Sequence, residues 1–258
     1  MKQLLIDAGN TRLKWRLLQG ARAGRVQGLA WTKSSAARAA RRVLRDGAGT
    51  ARILVCSVAG LPLERALRQA ARAAQLPRPL FIRSARRAAG VRNGYADTWR
   101  LGADRWLAMI GARALCPARA LCVVDIGTAL TIDLLDERGR HRGGLLVPGP
   151  ELMVDALLRH TAGIRRRAGA RNRPLSTAAR VVFARSTRSG LRSGSELAAA
   201  ALIERALREA ATLLGRRPRL LLAGGGAARI APRLKIRPLR ADDLVLRGLG
   251  VLAAGQSG

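Results

Sequence analysis

Two short segments of this 258-residue chain place an aspartate, a glycine and a threonine directly after a strand-like apolar run. The first, Leu4–Trp15, reads LLIDAGNTRLKW, and the second, Val123–Leu135, reads VVDIGTALTIDLL. A tight hairpin after a buried strand presents backbone N–H groups and a threonine hydroxyl to a phosphate, and its glycine permits close approach. The repeated pattern, with Asp7 and Asp125 about half a chain apart, indicates phosphate binding. A single copy would more often be an ordinary Asp-Gly hairpin turn.

Other residues add to this phosphate chemistry. Asp7 can hold a hydrated Mg²⁺ against phosphate oxygens, and Lys14 can supply positive charge. A third segment, Leu220–Ala227, reads LLLAGGGA, which is a strand-like run that enters three consecutive glycines. Backbone without side chains can lie flat against an adenine and its ribose. Two phosphate hairpins followed by this glycine run indicate a nucleotide-binding protein.

A further motif supplies a candidate general base. The tripeptide Asn93-Gly94-Tyr95 is followed by Leu101–Trp106, which reads LGADRW and opens an apolar helix predicted to run to about Leu115. Asp104 at the helix start has two interpretations. It can be a simple N-cap, or it can be a carboxylate that accepts or orients a hydroxyl proton during attack on the γ-phosphate.

Strand-like runs of branched and aliphatic residues alternate with helix-like stretches, which predicts an α/β architecture. The predicted strands are Gln3–Asp7, Arg12–Leu18, Ile53–Ser57, Ala120–Asp125, Leu130–Asp136, Gly144–Val147 and Leu220–Ala223. Apolar residues at helical spacing predict helices over Leu63–Gln75 and Ser195–Leu214. In the second of these, Ser195 can cap the start and Gly215 can close the end.

The two copies of the strand–aspartate–turn–strand unit predict a duplicated domain whose turns face each other across a cleft. We place the boundary near Pro117, which gives an N-terminal lobe of residues 1–117 and a C-terminal lobe of residues 118–258. The first lobe then carries the first phosphate hairpin and the Asp104 motif. The second carries the second hairpin and the glycine run. Within it, Gly163–Pro174 is predicted to be an exposed loop.

The formal net charge is +32, from 48 Lys and Arg residues against 16 Asp and Glu residues. Such a charge can attract nucleic acid or an anionic membrane. The basic residues are spread along the whole chain, however, and their short clusters lack the interleaved aromatic side chains that stack on bases. Solvated helix faces are therefore favoured over a functional polyanion site, which stays open as the alternative.

Three cysteines, Cys56, Cys116 and Cys122, are an odd number without a C-x-x-C pair, so we expect small core residues rather than disulfides or a zinc site. No apolar run reaches the length of a membrane span. Asp7 and Arg12 stand where the apolar region of a signal peptide would lie. We therefore expect a cytoplasmic protein with no membrane partner.

Taken in order, the motifs D-x-G-N-T-x-x-K-W, N-G-Y…L-G-A-D-R-W, D-I-G-T-A-x-T-I-D and G-G-x-x-x-P-G resemble those of bacterial type III pantothenate kinases. The similarity extends through the glycine run to the closing Asp243–Leu249, so it covers nearly the whole chain. The resemblance implies the actin-like fold shared with chaperone ATPases and sugar kinases, which has two ribonuclease-H-like domains. It also implies ATP-dependent phosphorylation of pantothenate to 4′-phosphopantothenate, the first step of coenzyme A synthesis.

The resemblance also implies roles for individual residues. The expected ATP contacts are Asp7, Gly9, Asn10, Thr11, Lys14, Thr128, Gly224 and Gly225. The expected pantothenate contacts are Tyr95, Gly102, Ala103, Asp104, Arg105 and Thr187, and Thr187 would come from the neighbouring subunit of a homodimer. Asp104 would accept the proton, Asp7 would hold Mg²⁺ through water, and Asp125 would bind a monovalent cation, potassium or ammonium.

Two other functions are weighed against this one. The chain could be a nucleic-acid-associated accessory factor for transcription, as the +32 charge allows, or a kinase for another hydroxy acid. The intact N-G-Y and G-A-D-R motifs favour pantothenate, and the retained acidic residues favour an enzyme, so no specific nucleic-acid partner is expected.

His141 and His160 show no metal-ligand spacing and are predicted to be surface or turn residues. Asp133 is interpreted as structural within the cleft, and Asp136 as a turn residue.

Overall fold

The computed structural model describes residues 1–168 and 182–255, and these form thirteen strands and eight α-helices. The strands are β1 (Lys2–Ala8), β2 (Arg12–Gln19), β3 (Arg22–Ala23), β4 (Gln27–Ala30), β5 (Arg52–Ser57), β6 (Leu80–Phe81), β7 (Arg87–Ala88), β8 (Val91–Arg92), β9 (Leu121–Ile126), β10 (Ala129–Leu135), β11 (His141–Pro148), β12 (Arg219–Ala223) and β13 (Leu239–Arg240).

The α-helices are α1 (Ala36–Arg45), α2 (Leu61–Ala73), α3 (Ala103–Leu115), α4 (Pro150–His160), α5 (Ala162–Ala168), α6 (Thr187–Leu214), α7 (Ala227–Ile230) and α8 (Leu244–Gly255). None of these helices is both long enough and apolar enough to cross a bilayer.

Two compact units make up the chain. The first contains Met1–Arg119, Glu137–Gly143 and the residues from Asp243 onward, and the second contains Ala120–Asp136 and the described part of Gly144–Asp242. The first boundary is close to the division at residue 117 made from the sequence. That division assigned all later residues to the second lobe, whereas two later segments pack with the first unit.

The first unit is built on a sheet of order β3-β2-β1-β5-β6, with β4 also paired to β2. The central strand β1 runs antiparallel to β2 and parallel to β5. Its buried side chains, such as Leu4 and Ile6, pack with residues of β5 and with α1 and α2 in one apolar core. Nearly every residue of β1 and β5 is buried, which explains their continuous apolar sequences.

The second unit repeats this arrangement around β9, in a sheet of order β11-β10-β9-β12-β13. Strand β9 is antiparallel to β10 and parallel to β12, as β1 is to β2 and β5. Its core joins these strands to α6 and α7. The predicted duplicated α/β architecture is confirmed, and all seven predicted strands are present with ends shifted by at most three residues.

Helix α6 begins earlier than its sequence predicts. Ser186, and not Ser195, is the N-cap, and its side chain accepts a hydrogen bond from the Ser189 backbone N–H. Ser195 lies inside the helix, where its hydroxyl donates to the Arg192 carbonyl. Gly190 and Gly194 lower the helix propensity of the first turns, so the pattern alone placed the start too late. Gly215 closes the helix in a left-handed conformation, as predicted.

The predicted loop Gly163–Pro174 is also partly helical, since α5 covers its first residues. Its remaining residues lie outside the described parts of the chain.

Close contact between α3 and α8 explains why the last helix belongs to the first unit. A Cβ atom added at Gly111 would collide with the Leu244 carbonyl oxygen, and one added at Gly248 would collide with the Leu107 carbonyl oxygen. The two helix backbones therefore meet at this pair of glycines. Helix α8 also packs on β1, so it covers the strand that carries Asp7.

This contact gives a matched pair of substitutions in α8. Gly248→Ala should destabilise the protein by about 1–3 kcal/mol, because the added methyl group must push two backbones apart. Gly250→Ala should be neutral or slightly stabilising, because its nearest neighbour would lie 3.7 Å from the new Cβ and alanine favours helix. Urea denaturation of both variants checks this, and equal stabilities would contradict the packing described.

Candidate active site

The first hairpin places its aspartate one residue before the end of β1. Asp7 is partly exposed, and the turn that follows leaves Asn10 and Thr11 exposed. The Gly9 N–H donates to the Arg12 carbonyl at 3.0 Å, which closes the turn. Trp31 holds it from the side, since its indole N–H donates to the Gly9 carbonyl at 2.9 Å. The hairpin is thus a rigid, solvent-facing turn, as a phosphate site requires.

Lys14 lies directly opposite Asp7 in the β1–β2 register. Directly paired residues of antiparallel strands project to the same face, so Lys14 and Asp7 are neighbours. The Lys14 ammonium also forms a 2.9 Å ion pair with Asp243, just before α8. Asp243 has a φ of 61°, a conformation that non-glycine residues rarely adopt. Asp243, just before α8, therefore holds the Lys14 side chain in place.

Asp104 lies in the first turn of α3 and does not cap it. Gly102 is the N-cap residue, and the Asp104 carboxylate accepts a 2.8 Å hydrogen bond from the Arg105 backbone N–H. A Cβ at Gly102 would collide with this carboxylate, so a larger residue there would displace the Asp104 side chain. The capping interpretation is wrong, because Asp104 lies two residues after the N-cap. The start of α3 favours the ionised carboxylate, because the helix dipole is positive at that end.

The pKa of the buried Cys56 thiol is affected by the charges of both Asp7 and Asp104. Burial raises the pKa of this thiol well above its usual value, and the charges of Asp7 and then Asp104 raise it further. The Arg83 guanidinium opposes the shift. Cys56 is paired with Asp7 across β1 and β5. The charges of two aspartates from different sequence motifs therefore act on the same buried thiol.

Arg105 is oriented by Tyr95. The Arg105 guanidinium donates a 3.0 Å hydrogen bond to the Tyr95 hydroxyl and lies over its ring. The Tyr95 backbone is held in turn by Asn93, whose side-chain oxygen accepts the Tyr95 N–H at 2.9 Å. This arrangement sets a planar, permanently charged fork beside Asp104, which suits a carboxylate substrate.

His141 is a residue of this site that sequence reasoning missed. It was predicted at the surface, yet it is 4% exposed and its ring stacks on Tyr95 with centroids 5.7 Å apart. A Cβ at Gly94 would collide with the His141 carbonyl, so the two segments are in close contact. No sequence pattern links His141 to Tyr95, which is 46 residues earlier in the chain. The lack of metal-ligand spacing around His141 gave no information about its burial. His160, in contrast, is exposed as predicted.

In the second unit, the strand end that carries Asp125 is in contact with the glycine run. Asp125 is partly exposed and pairs with Ala223 across β9 and β12. Gly224 follows with a φ of 87°, and a Cβ there would collide with the Asp125 carboxylate and the Ile126 backbone. Gly225 is exposed, with nothing within 4 Å of a Cβ. Thr128 is exposed in the turn, and its carbonyl accepts the Gly149 N–H at 2.8 Å.

Two further aspartates of the second unit, Asp133 and Asp136, are buried. Asp133 is 2% exposed on β10 and, after burial itself, is the next cause that raises the pKa of Cys122 to about 12. Asp136 follows the end of β10 and is buried, although it was interpreted as a turn residue. All three cysteines are buried and free, as predicted. Thr187 is the first residue of α6 and is partly exposed.

A metal site made of protein side chains alone is absent from the described residues, since no group of three or more His, Cys, Asp or Glu could hold an ion. Mg²⁺ in phosphoryl-transfer sites is usually bound by one or two carboxylates, with phosphate and water oxygens completing its shell. The partly exposed carboxylate of Asp7, beside the hairpin turn, fits that mode of binding.

Comparison with known proteins identifies close sequence relatives. Residues 3–209 match the family model for type III pantothenate kinase. A protein of that name from Chromobacterium violaceum is 41% identical over 249 residues, covering 96% of this chain and 97% of the relative. Another, from Aromatoleum aromaticum, is 38% identical over 255 residues and covers 97% of both chains.

Solved structures support the fold. The activator of 2-hydroxyisocaproyl-CoA dehydratase from Clostridium difficile superposes with a TM-score of 0.54 at 12% identity, covering 100% of this chain and 97% of that one. Component A of (R)-2-hydroxyglutaryl-CoA dehydratase from Acidaminococcus fermentans gives 0.51 at 14% identity, covering 97% and 96%. At such identities the likeness concerns the fold alone.

The glycine run offers two adjacent substitutions with different expected results. Gly224→Ala should lower the melting temperature by several degrees, because the added Cβ collides with Asp125 and the φ of 87° is strained for alanine. Gly225→Ala should leave the melting temperature unchanged and weaken ATP binding, because its Cβ projects only into the space expected for the nucleotide. Scanning calorimetry and titration with ATP distinguish the two effects. If the Gly225→Ala variant binds ATP with unchanged affinity, Gly225 does not contact the nucleotide.

Proposed function

The chain belongs to the type III pantothenate kinase family, and we propose on that premise that it transfers the γ-phosphoryl group of ATP to the hydroxyl group of pantothenate. The products are 4′-phosphopantothenate and ADP, and the reaction is the first step of coenzyme A synthesis. The structural observation that carries the proposal is the placement of two carboxylates in the first unit, Asp7 near the end of β1 and Asp104 in the first turn of α3 beside an Arg105 that Tyr95 orients. One carboxylate lies at a phosphate-type hairpin, and the other lies at a helix start beside an oriented arginine.

The first hairpin is proposed to hold the phosphates of ATP. Gly9, Asn10 and Thr11 offer backbone N–H groups and polar side chains at an exposed turn. Lys14 adds a positive charge that its ion pair with Asp243 keeps in place. Asp7 would hold Mg²⁺ through water, and such an ion neutralises charge on the phosphates during transfer.

The second unit is proposed to contribute Thr128, Gly224 and Gly225 to ATP binding. Asp125 would hold a monovalent cation, potassium or ammonium, because its carboxylate is partly exposed at a strand end next to backbone carbonyl groups. Such a cation supplies fixed positive charge near the nucleotide. The contact with Gly224 ties the position of this carboxylate to that of the glycine run.

Pantothenate binding is assigned to the start of α3. The substrate is a carboxylate with a primary hydroxyl group, so it needs one cationic contact and one base. Arg105 supplies the cationic contact, held by Tyr95 and, behind it, by the stacked His141. Gly102 and Ala103 present backbone at the same helix start. Thr187 is proposed to reach the substrate from the partner subunit of a homodimer.

Asp104 is proposed as the general base. Its carboxylate accepts the hydroxyl proton as the pantothenate oxygen attacks the γ-phosphorus, and the bond to the bridging oxygen of ADP breaks. The hydrogen bond from the Arg105 N–H keeps the carboxylate in one orientation. A positioned base of this kind typically contributes 10²–10⁴-fold to a rate.

The alternative functions receive less support. A transcription accessory factor needs neither an oriented Arg105 nor two aspartates beside one buried thiol. A kinase for another hydroxy acid would share the catalytic groups, but the sequence relatives are named for pantothenate. We assign the protein to the cytoplasm, where ATP and the pathway's later steps are found.

The base is tested by Asp104→Asn, which keeps the acceptor oxygen for the Arg105 N–H but cannot take a proton. Turnover should fall by about 10²–10⁴-fold while the melting temperature and ATP affinity stay close to wild type. Glu209→Gln is the control, since Glu209 is an exposed surface carboxylate on α6. Near wild-type turnover by Asp104→Asn would exclude Asp104 as the base.

The cation site is tested by exchanging potassium for sodium at constant ionic strength. Wild-type turnover should fall strongly in sodium, and potassium should raise the melting temperature by binding the native state. Asp125→Ala should stay folded and respond little to either salt. Equal wild-type rates and melting temperatures in both salts would exclude the proposed site.

A further inference from the structure

A large open groove lies in the second unit, at the opposite end of β12 from the glycine run. It has a volume of about 1090 Å³ and is bounded by the last turns of α6, the start of β12 and residues 235–240. That volume is slightly above the usual range for small-molecule sites, so the groove can hold a sizeable ligand. Arg219 begins β12, whereas Gly224 follows its end. At about 3.3 Å per residue, the two ends of the strand are separated by roughly 15 Å.

The groove is more basic than the chain as a whole. Six of its fifteen lining residues are Arg or Lys, against 48 of 258 in the full sequence. The basic residues are Arg208, Arg217, Arg219, Lys235, Arg237 and Arg240. The excess is about twofold, so the basic composition of the chain does not account for it.

Little of this charge is neutralised by the protein. Arg240 pairs with Asp242 at 3.1 Å. Glu204 is the acidic residue of the lining, and its carboxylate accepts the Lys235 backbone N–H at 2.7 Å. Within residues 1–168 and 182–255, the other five basic side chains form no ion pair. The groove therefore presents a concentrated positive potential to a ligand.

The floor of the groove is apolar. Leu207 and Leu220 are buried, Ala211 and Leu239 are half-buried, and Ile236 adds an exposed aliphatic side chain. Arginine side chains around such a floor can bind phosphate groups in a bidentate manner while the apolar part of a ligand lies between them.

The lining also argues against two common polyanions. None of the fifteen described lining residues is aromatic, so the groove lacks the stacking surfaces that single-stranded nucleic acids use. Its leucines are buried or half-buried, and among its aliphatic lining residues only Ile236 is exposed, which is too little apolar surface to insert into a bilayer.

We infer that this groove binds a small molecule that carries two or more phosphate groups together with an aliphatic portion. The arginines bind the phosphates, and the recessed leucines bind the aliphatic portion. This site is separate from the one proposed for ATP and pantothenate.

The test compares two probes by calorimetry, in the presence of saturating non-hydrolysable ATP analogue so that the nucleotide site is filled. Geranyl diphosphate carries charge and an aliphatic chain, and inorganic pyrophosphate carries the charge alone. Burial of even two or three CH₂ groups predicts that geranyl diphosphate binds at least tenfold more tightly. The double variant R219A/R237A should lose this binding. The control R205A, an exposed arginine of α6 paired with Glu209, should keep it.

A second variant tests the role of the apolar floor independently of the basic side chains. Ala211→Phe fills the floor and keeps every arginine, so it should abolish the preference for geranyl diphosphate and keep the affinity for pyrophosphate. Kinase turnover should be unchanged in all of these variants. The inference is overturned if the two probes bind equally to the wild type, or if R205A weakens binding as much as R219A/R237A.

Discussion

In each unit, the central strand of the sheet fixes an aspartate just before a tight turn. The candidate site depends on the fixed position of these two carboxylates. Asp7 and Asp125 both stand one residue before the end of their strands, where parallel neighbours on one side and an antiparallel hairpin on the other fix the backbone. In the second unit, the constraint extends to Gly224, because no side chain fits between it and Asp125. A substitution there would move the carboxylate and the glycine run together.

In the first unit, several contacts converge on the same strand end. Helix α8 packs on β1 and on α3, and the residue just before it holds Lys14. Cys56 on the neighbouring strand is paired with Asp7, and the charges of Asp7 and Asp104 both raise the pKa of its thiol. Because the last segment of the chain packs with the first unit, the phosphate hairpin and the start of α3 depend on residues that are distant in sequence. Loss of the contact between α3 and α8 should therefore disturb the site as well as the fold.

Local patterns predicted the fold well. The strands around Asp7 and Asp125 are continuous apolar runs, and the turns after them follow directly from their glycines. Features set by long-range packing could not be predicted. His141 carries no local signal for its stacking on Tyr95, and the return of α8 to the first unit depends on a glycine contact with α3. The early start of α6 was missed because Gly190 and Gly194 suggest a break that packing overrides.

The most direct measurement is ADP release by the purified protein, with and without pantothenate, combined with mass spectrometry of the acceptor. A pantothenate kinase should release ADP in proportion to added pantothenate and yield a product heavier by one phosphoryl group. Little ADP should form when pantothenate is omitted. ADP release that is the same with and without pantothenate, or an acceptor of unchanged mass, would contradict the assignment.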